Sequence, residues 1–158
     1  MTSTEPINLR EWRSKSRLFT CGRPGRAVFL RERRPIGEDV IDLWVSGLPP
    51  IEPLHVVSLL GRKKDGFSEF DYYPFRSGKD PGDKPTFQDW LDQRYGNRFI
   101  VHEFPTTDAM GIRADVMQQV TACLRSLLDS GNTVVLLDSA GAERTARVCE
   151  KIGLEPIA

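Results

Sequence analysis

The sequence predicts an α/β fold with three layers, in which a largely parallel central sheet is flanked by helices. Short apolar runs that are typical of buried strands alternate with amphipathic segments that are typical of helices. The chain has 158 residues, which is enough for one domain to bury roughly two thirds of its unfolded surface. We therefore expect residues 1–158 to form a single domain, with residues 1–34 packed on it or preceding it.

The N-terminal part of the chain predicts a basic hairpin. The segments RLFTC and AVFL predict two strands around the turn GRPGR. Residues 1–34 hold nine Lys or Arg and three Asp or Glu, a net charge of plus six that the rest of the chain balances with minus six. Such a segment suits an acidic partner. We expect Trp12, Phe19 and Phe29 in the core, and aromatic residues this sparse disfavour nucleic acid as the partner.

The middle of the chain predicts three strands and one short helix. VIDLWV and HVVSLL predict two strands, and RFIVHEF predicts a third. Residues 62–85 are rich in Gly, Pro, Lys and Asp and predict a long loop, in which FSEFDYYPF could supply an edge strand. Thr86 and Asp89 predict a capped helix over FQDWLDQRY that ends at Gly96.

The C-terminal part predicts a helix, a strand and a second helix. RADVMQQVTACLRSLLDSG is amphipathic, because apolar residues recur at spacings of three and four up to Leu128, and Gly131 follows as a terminator. The apolar run VVLL predicts a buried strand, and the chain from Ala142 onward predicts the last helix. Asp138 therefore lies between a strand and a helix, at the start of a short loop.

Composition disfavours several classes of protein. The three cysteines, Cys21, Cys123 and Cys149, form no CxxC pair, and the two histidines, His55 and His102, are far apart in the sequence. We therefore expect no disulfide framework, no metal and no cofactor, and a reduced, cytoplasmic setting. The N-terminus lacks the apolar core of a signal peptide, and no apolar run approaches the roughly 18 residues of a membrane span. We expect no contact with membranes.

The loop after Asp138 has the composition of an anion-binding loop. Small residues entering a helix can turn successive backbone N–H groups toward one centre, where the helix terminus adds partial positive charge. Arg144 follows in the first helical turns, where its planar fork suits two oxygens of a phosphate. The spacing predicts a phosphate site. Its expected phosphate-binding residues are Ser139, Ala140, Gly141, Ala142, Glu143 and Arg144.

The segment LDSAGAERT resembles the signature loop of the cysteine-dependent protein tyrosine and dual-specificity phosphatases. That pattern is His-Cys, five residues, Arg, then Ser or Thr. Ala140 and Gly141 match its common small pair. Arg144 matches the phosphate-binding arginine, and Thr145 matches the hydroxyl residue that follows. Asp138 stands at the position of the nucleophilic cysteine.

A second segment supports the resemblance. The general acid of this family is an aspartate on a loop upstream of the nucleophile, and FPTTDAMGI offers Asp108, thirty positions before Asp138. Two features differ from the family: Leu137 replaces the usual histidine, and fourteen residues follow Arg144 where members usually continue with further helices. The resemblance covers residues 40–152 and implies a phosphatase-like fold.

The replacement of cysteine by aspartate determines the expected function. In this family a thiolate attacks phosphorus, the loop and the arginine hold the oxygens, and an aspartic acid protonates the leaving group. The N–H groups and Arg144 should keep Asp138 ionised, and its charge would repel a phosphate dianion by an energy on the order of several kcal/mol. We therefore expect a non-catalytic pseudophosphatase. It would hold a phosphorylated protein or another anionic ligand, or Asp138 would satisfy the loop internally.

Other interpretations stay open. One is an active phosphatase that uses Asp138 as nucleophile or base and Asp108 as general acid, with Arg144 and Thr145 completing the catalytic set. Another is an aspartyl-phosphate enzyme or receiver domain, although no acidic cluster for Mg²⁺ adjoins VVLLDSAG. A third is a rhodanese-like domain, which the tail RTARVCEKIGLEPI resembles. Finally, Asp138 and Ser139 could only cap the last helix, with Arg144 paired to a carboxylate such as Asp108.

Overall fold

The protein is built around one sheet of five strands. A computed structural model describes residues 7–12, 17–62, 66–107 and 112–155. The strands are β1 (Arg10–Trp12), β2 (Leu18–Gly22), β3 (Leu54–Ser58), β4 (Phe99–Glu103) and β5 (Val134–Asp138). They lie in the order β1-β2-β5-β3-β4. β1 pairs antiparallel with β2, and the other neighbouring strands are parallel. The prediction of an α/β fold with a largely parallel sheet is confirmed.

Helices cover both faces of this sheet. They are α1 (Arg26–Glu32), α2 (Glu38–Ser46), α3 (Phe87–Tyr95), α4 (Ala114–Asp129) and α5 (Glu143–Lys151). The predicted cap of α3 is present, because Thr86 Oγ1 accepts a hydrogen bond of 3.1 Å from the N–H of Asp89. The predicted amphipathic helix is α4, which turns Val120, Leu124 and Leu128 into the core. Among the described helices, none combines the length and apolarity that a membrane crossing requires.

Two segments that we predicted as strands are helical. AVFL lies in α1 and VIDLWV lies in α2, so the predicted hairpin around GRPGR is wrong. Gly25 in that turn has a φ of 65°, and it leads the chain from β2 into α1 instead. Strand β2 forms its antiparallel pair with β1 on the other side, with Arg10 opposite Thr20. The segment FSEFDYYPF forms no strand; only an isolated bridge joins Arg62 to Ser68.

The sheet separates two apolar cores. One core lies under α1, α2 and α3 and includes Phe19 and Phe29; the other lies under α4 and α5 and includes Trp12. Consecutive residues of β5 face opposite sides, so Val135 contributes to the first core and Leu136 to the second. The prediction that the three aromatic residues are buried is confirmed. The parallel strands β2, β3 and β5 all end at one edge, where the loop after Asp138 begins.

Candidate functional site

Asp138 is the last residue of β5, and its carboxylate binds the loop that follows. Oδ1 accepts a hydrogen bond from the N–H of Gly141, and Oδ2 accepts one of 3.1 Å from the N–H of Thr145. The residue is only 2% exposed. The bond to Thr145 also caps α5, whose N-cap residue Ala142 makes no side-chain cap. The centre on which these backbone N–H groups converge is therefore occupied by the chain's own carboxylate.

The shape of the loop depends on strand β2. Gly141 has a φ of 72°, and a Cβ at this position would lie 2.4 Å from the backbone of Cys21 and Gly22. Ala140 forms an isolated antiparallel bridge with Gly22. The Asn8 side chain joins the same two residues: its Oδ1 accepts from the N–H of Gly22 at 2.8 Å, and its Nδ2 donates to the Ala140 carbonyl at 2.7 Å. Only glycine fits at position 141, and the loop follows the end of β2.

Arg144 points from the first turn of α5 into the protein interior. Its Nη1 and Nη2 donate to the two carboxylate oxygens of Glu69 at 2.9 and 2.8 Å. Nη1 also donates to Thr106 Oγ1 at 2.7 Å and to the Leu59 carbonyl at 3.3 Å. Its Nε lies 4.0 Å from Asp138 Oδ2. The Arg144 guanidinium, which we expected to bind two phosphate oxygens, therefore binds the Glu69 carboxylate instead.

Glu69 is a central residue of this site that the sequence analysis missed. It is buried, and its backbone N–H donates to the Gly61 carbonyl at 2.9 Å while its Oε1 accepts from the N–H of Gly61 at 3.1 Å. These bonds hold the carboxylate under Arg144. The sequence did contain one signal that Glu69 is buried: it lies between Phe67 and Phe70, in a loop that is otherwise rich in polar residues.

Asp108, the expected general acid, lies outside the described residues. The segment just before it reaches the site, because Thr106 is buried and donates from both Oγ1 (2.7 Å) and its backbone N–H (3.2 Å) to the Leu59 carbonyl. Thr106 Oγ1 also accepts from Arg144. The structure thus brings the FPTT segment into contact with the arginine of the loop, two regions that the sequence analysis had assigned to one site.

The other expected residues divide between this site and its surroundings. Thr145 is buried, and its Oγ1 donates to the Ala142 carbonyl at 3.4 Å. Glu143 is exposed and lies 3.6 Å from Arg147 in an i,i+4 pair. Asp138, Gly141, Arg144 and Thr145 therefore lie together, whereas Glu143 faces solvent.

Ser139 belongs to a second cluster beside the loop. The Nε atoms of Arg23 and Arg26 each donate to Ser139 Oγ at 3.2 Å. The backbone N–H of Arg23 also donates to the Ser139 carbonyl at 3.2 Å. Both arginines come from the turn GRPGR, which the sequence analysis had treated as the tip of a hairpin.

The three cysteines are not activated as nucleophiles. Burial, reinforced by the charge of Asp138, raises the pKa of the Cys21 thiol well above its usual value. Burial, with Glu150 nearby, raises the pKa of Cys149 to about 12. Burial also raises the pKa of Cys123. Because a thiol attacks as its thiolate, all three are poorly reactive near neutral pH.

His55 and His102 form a pair that their separation in sequence concealed. They lie on the neighbouring strands β3 and β4, with Nδ1 of His55 2.9 Å from Nε2 of His102 and the rings stacked at 5.2 Å. Burial lowers the pKa of both imidazoles, and the proximity of His55 lowers that of His102 further. Within the described ranges, no three His, Cys, Asp or Glu side chains group as metal ligands would.

The junction of β5 and α5 thus holds two buried carboxylates and one buried guanidinium, each bonded to another or to the backbone. An attacking oxygen must approach phosphorus to about 3–3.5 Å, and the Asp138 oxygens already accept two N–H groups. The arrangement suits a stable loop whose polar groups are satisfied within the chain. No family model, curated protein or solved structure matches this chain.

Proposed function

We propose that this chain is a phosphatase-like protein without catalytic activity, a pseudophosphatase that acts by binding an anionic or phosphorylated partner. The observation that carries the proposal is the pair of hydrogen bonds from the N–H groups of Gly141 and Thr145 to the Asp138 carboxylate. In the sequence resemblance, Asp138 takes the position of the catalytic cysteine. A phosphate would have to displace the Asp138 carboxylate or meet its charge, and two unit charges about 4 Å apart repel by about 4 kcal/mol at an effective dielectric constant of about 20.

The state of Arg144 supports the same proposal. In an active phosphatase this arginine has to receive two phosphate oxygens, but here Glu69 receives both of its terminal nitrogens. Releasing Arg144 would leave the buried Glu69 carboxylate without its partner, which is costly in a low-dielectric interior. The loop N–H groups and Arg144 are therefore satisfied by carboxylates of the chain. This supports the lack of catalysis, and an anionic partner would have to displace Asp138 or bind beside this centre.

The active alternative receives less support from the geometry. A carboxylate nucleophile needs an accessible oxygen, and Asp138 is 2% exposed with both oxygens accepting backbone N–H groups. The role of Asp138 as a helix cap does not compete with the proposal, because the bond to Thr145 both caps α5 and occupies the centre of the loop.

Hydrolysis of an aryl phosphate between about pH 4 and pH 9 tests the proposal. We expect no turnover by the unmodified protein and weak but measurable turnover by Asp138→Cys, which supplies a thiol but leaves Arg144 bonded to Glu69. Adding Arg144→Lys to that variant should abolish the gained activity. Asp115→Cys is a matched control, because it places a thiol on the exposed surface of α4. Turnover by the unmodified protein that Asp138→Ala removes would establish the active alternative. A folded but inert Asp138→Cys variant would contradict the phosphatase-like interpretation.

A further inference from the structure

A cavity of about 220 Å³ lies beside the β5–α5 loop, between the end of β2 and helix α2. We propose that it binds a small anionic group carried on an apolar body, such as an aryl phosphate or an aryl carboxylate. This site is distinct from the centre that Asp138 occupies, and it does not depend on the proposed function. The side chains that carry the inference are Arg23, Arg26, Ser139, Val40, Leu43 and Trp44.

The polar end of the cavity holds two positively charged side chains, Arg23 and Arg26. Arg23 and Arg26 both donate through Nε to the one Oγ of Ser139, so their guanidinium groups converge on a single neutral hydroxyl. Along the described ranges, no carboxylate oxygen comes within 4.0 Å of either guanidinium, and no acidic residue lines the cavity. Two neighbouring like charges repel, and an anion bound between them removes that repulsion.

The serine hydroxyl adds a donor to this end of the cavity. A hydroxyl has one donor and two acceptor positions, and both acceptor positions of Ser139 Oγ receive a guanidinium Nε–H. Its proton is therefore left to donate to a third group. An oxyanion here would meet two guanidinium forks, which match carboxylate and phosphate geometry, together with a hydroxyl donor.

Arg23 is held rigidly before any ligand arrives. The residue is buried, and its guanidinium lies 5.0 Å from the ring centre of Phe29 and 5.8 Å from that of Tyr73. Its Nη1 donates to the Tyr73 hydroxyl at 3.3 Å, and burial raises the pKa of that phenol to about 12, so it remains neutral. Tyr73 in turn donates to the Pro24 carbonyl. None of these contacts is an ion pair. They orient the guanidinium, which lowers the ordering cost of binding an anion.

The opposite wall is apolar and belongs to α2. Val40, Leu43 and Trp44 line it, and the Trp44 ring is fixed because its Nε1 donates to the Gly22 carbonyl at 2.9 Å. The volume is below the roughly 300–1,000 Å³ of pockets for drug-sized ligands, so it suits one ring or a short chain. A cavity with a basic end and an apolar wall favours a ligand whose charged end contacts the two arginines and whose apolar body contacts α2.

Calorimetric titration with three probes tests the inference: phenyl phosphate, benzoate and the neutral analogue benzyl alcohol. We expect at least one of the two anions to bind with an affinity at least about tenfold above that of benzyl alcohol. The stronger anion distinguishes a phosphate from a carboxylate ligand. Arg26→Gln should weaken this binding at least about tenfold, because Arg26 is half-buried at the cavity and the change removes one of the two charges. Arg34→Gln is the matched control, since it removes the same charge from an exposed side chain outside the cavity.

A substitution in the apolar wall tests whether that wall contacts the ligand. Leu43 is 39% exposed, so Leu43→Ser should leave the fold intact while it weakens phenyl phosphate or benzoate binding. The proposal is overturned if neither anion binds at about 1 mM, if benzyl alcohol binds equally well, or if Arg26→Gln binds as the unmodified protein does. These outcomes are independent of whether the protein hydrolyses phosphate esters, so a failure here is distinguishable from a failure of the proposed function.

Discussion

The Arg144 guanidinium and the Glu69 carboxylate form a two-pronged ion pair inside the protein, with N–O distances of 2.9 and 2.8 Å. The two residues are 75 positions apart, so the pair joins the long loop after β3 to the first turn of α5. Burying such a pair costs desolvation energy, and its value depends on each charge neutralising the other. The pair therefore makes the site sensitive to the loss of either partner.

Glu69→Ala should destabilise the protein by about 3–5 kcal/mol, because the buried guanidinium loses both hydrogen bonds to its nearest carboxylate and Asp138 lies 4.0 Å away. Urea unfolding measures the change. Asp80→Ala is the control, since Asp80 forms an exposed pair with Arg62 at 3.3 Å and should cost less than about 1 kcal/mol. The double variant Glu69→Leu with Arg144→Met should recover most of the loss. Equal stability of the two alanine variants would contradict this account.

Gly141→Ala should be strongly destabilising. The left-handed backbone costs a non-glycine residue about 1–2 kcal/mol, and the new Cβ would lie 2.4 Å from the backbone of Cys21 and Gly22, which adds about 1–3 kcal/mol. Gly131→Ala separates the two effects, because Gly131 has a φ of 82° but nothing lies within 4 Å of the place that its new methyl group would take. The difference between the two variants in thermal or urea unfolding measures the close approach of the loop to β2. No difference would mean that the loop does not pack there.

Asp138→Ala should open the loop to anions. The variant loses two hydrogen bonds to backbone N–H groups, so its stability should fall by about 1–3 kcal/mol. Inorganic phosphate should then raise the melting temperature of the variant more than that of the unmodified protein, since the variant gains an anion site at the loop and a ligand stabilises only the state that binds it. Asp115→Ala, an exposed change of the same charge, serves as control. A variant that phosphate leaves unaffected would show that the loop is capped by Asp138 without being an anion site.

The histidine pair predicts that the protein is less stable in mild acid. Burial lowers the pKa of His55 and His102, so the unfolded chain binds protons more readily than the folded protein. The free energy of unfolding should be highest above the ordinary histidine pKa of about 6.5 and should fall as the pH decreases below it. His102→Gln removes one titrating group and should flatten this dependence between about pH 7 and pH 5. Unfolding curves whose pH dependence is the same in both proteins would contradict the prediction.

Segments with a clear local signal were predicted correctly. The cap at Thr86 and the apolar spacing of α4 depend on neighbouring residues, and both features appear as expected. The errors at α1 and α2 arose because β-branched and aromatic residues in AVFL and VIDLWV favour strands locally. Tertiary packing decides otherwise: in α2 the buried residues Val40, Ile41, Trp44 and Val45 follow a helical spacing.

In the candidate site too, features that depend on adjacent residues could be predicted, and contacts between residues far apart in the sequence could not. The β5–α5 loop could be located because the strand, the small residues and Arg144 are adjacent in the sequence. The partners Glu69 and Arg144, or His55 and His102, could not be paired, because 75 and 47 residues separate them and no local pattern records the contact. The strand order that brings them together is a property of the whole sheet.

The two cores on opposite faces of the sheet allow the two halves of the protein to diverge separately. Leu124 of α4 and Phe87 of α3 belong to different apolar clusters. Substitutions that share no partner usually change the free energy of unfolding additively, to within about 0.5 kcal/mol. Sequence drift in the α4–α5 layer can therefore proceed without disturbing the arginine cavity on the other face. The strands β2, β3 and β5 are more constrained, because each contributes side chains to both cores.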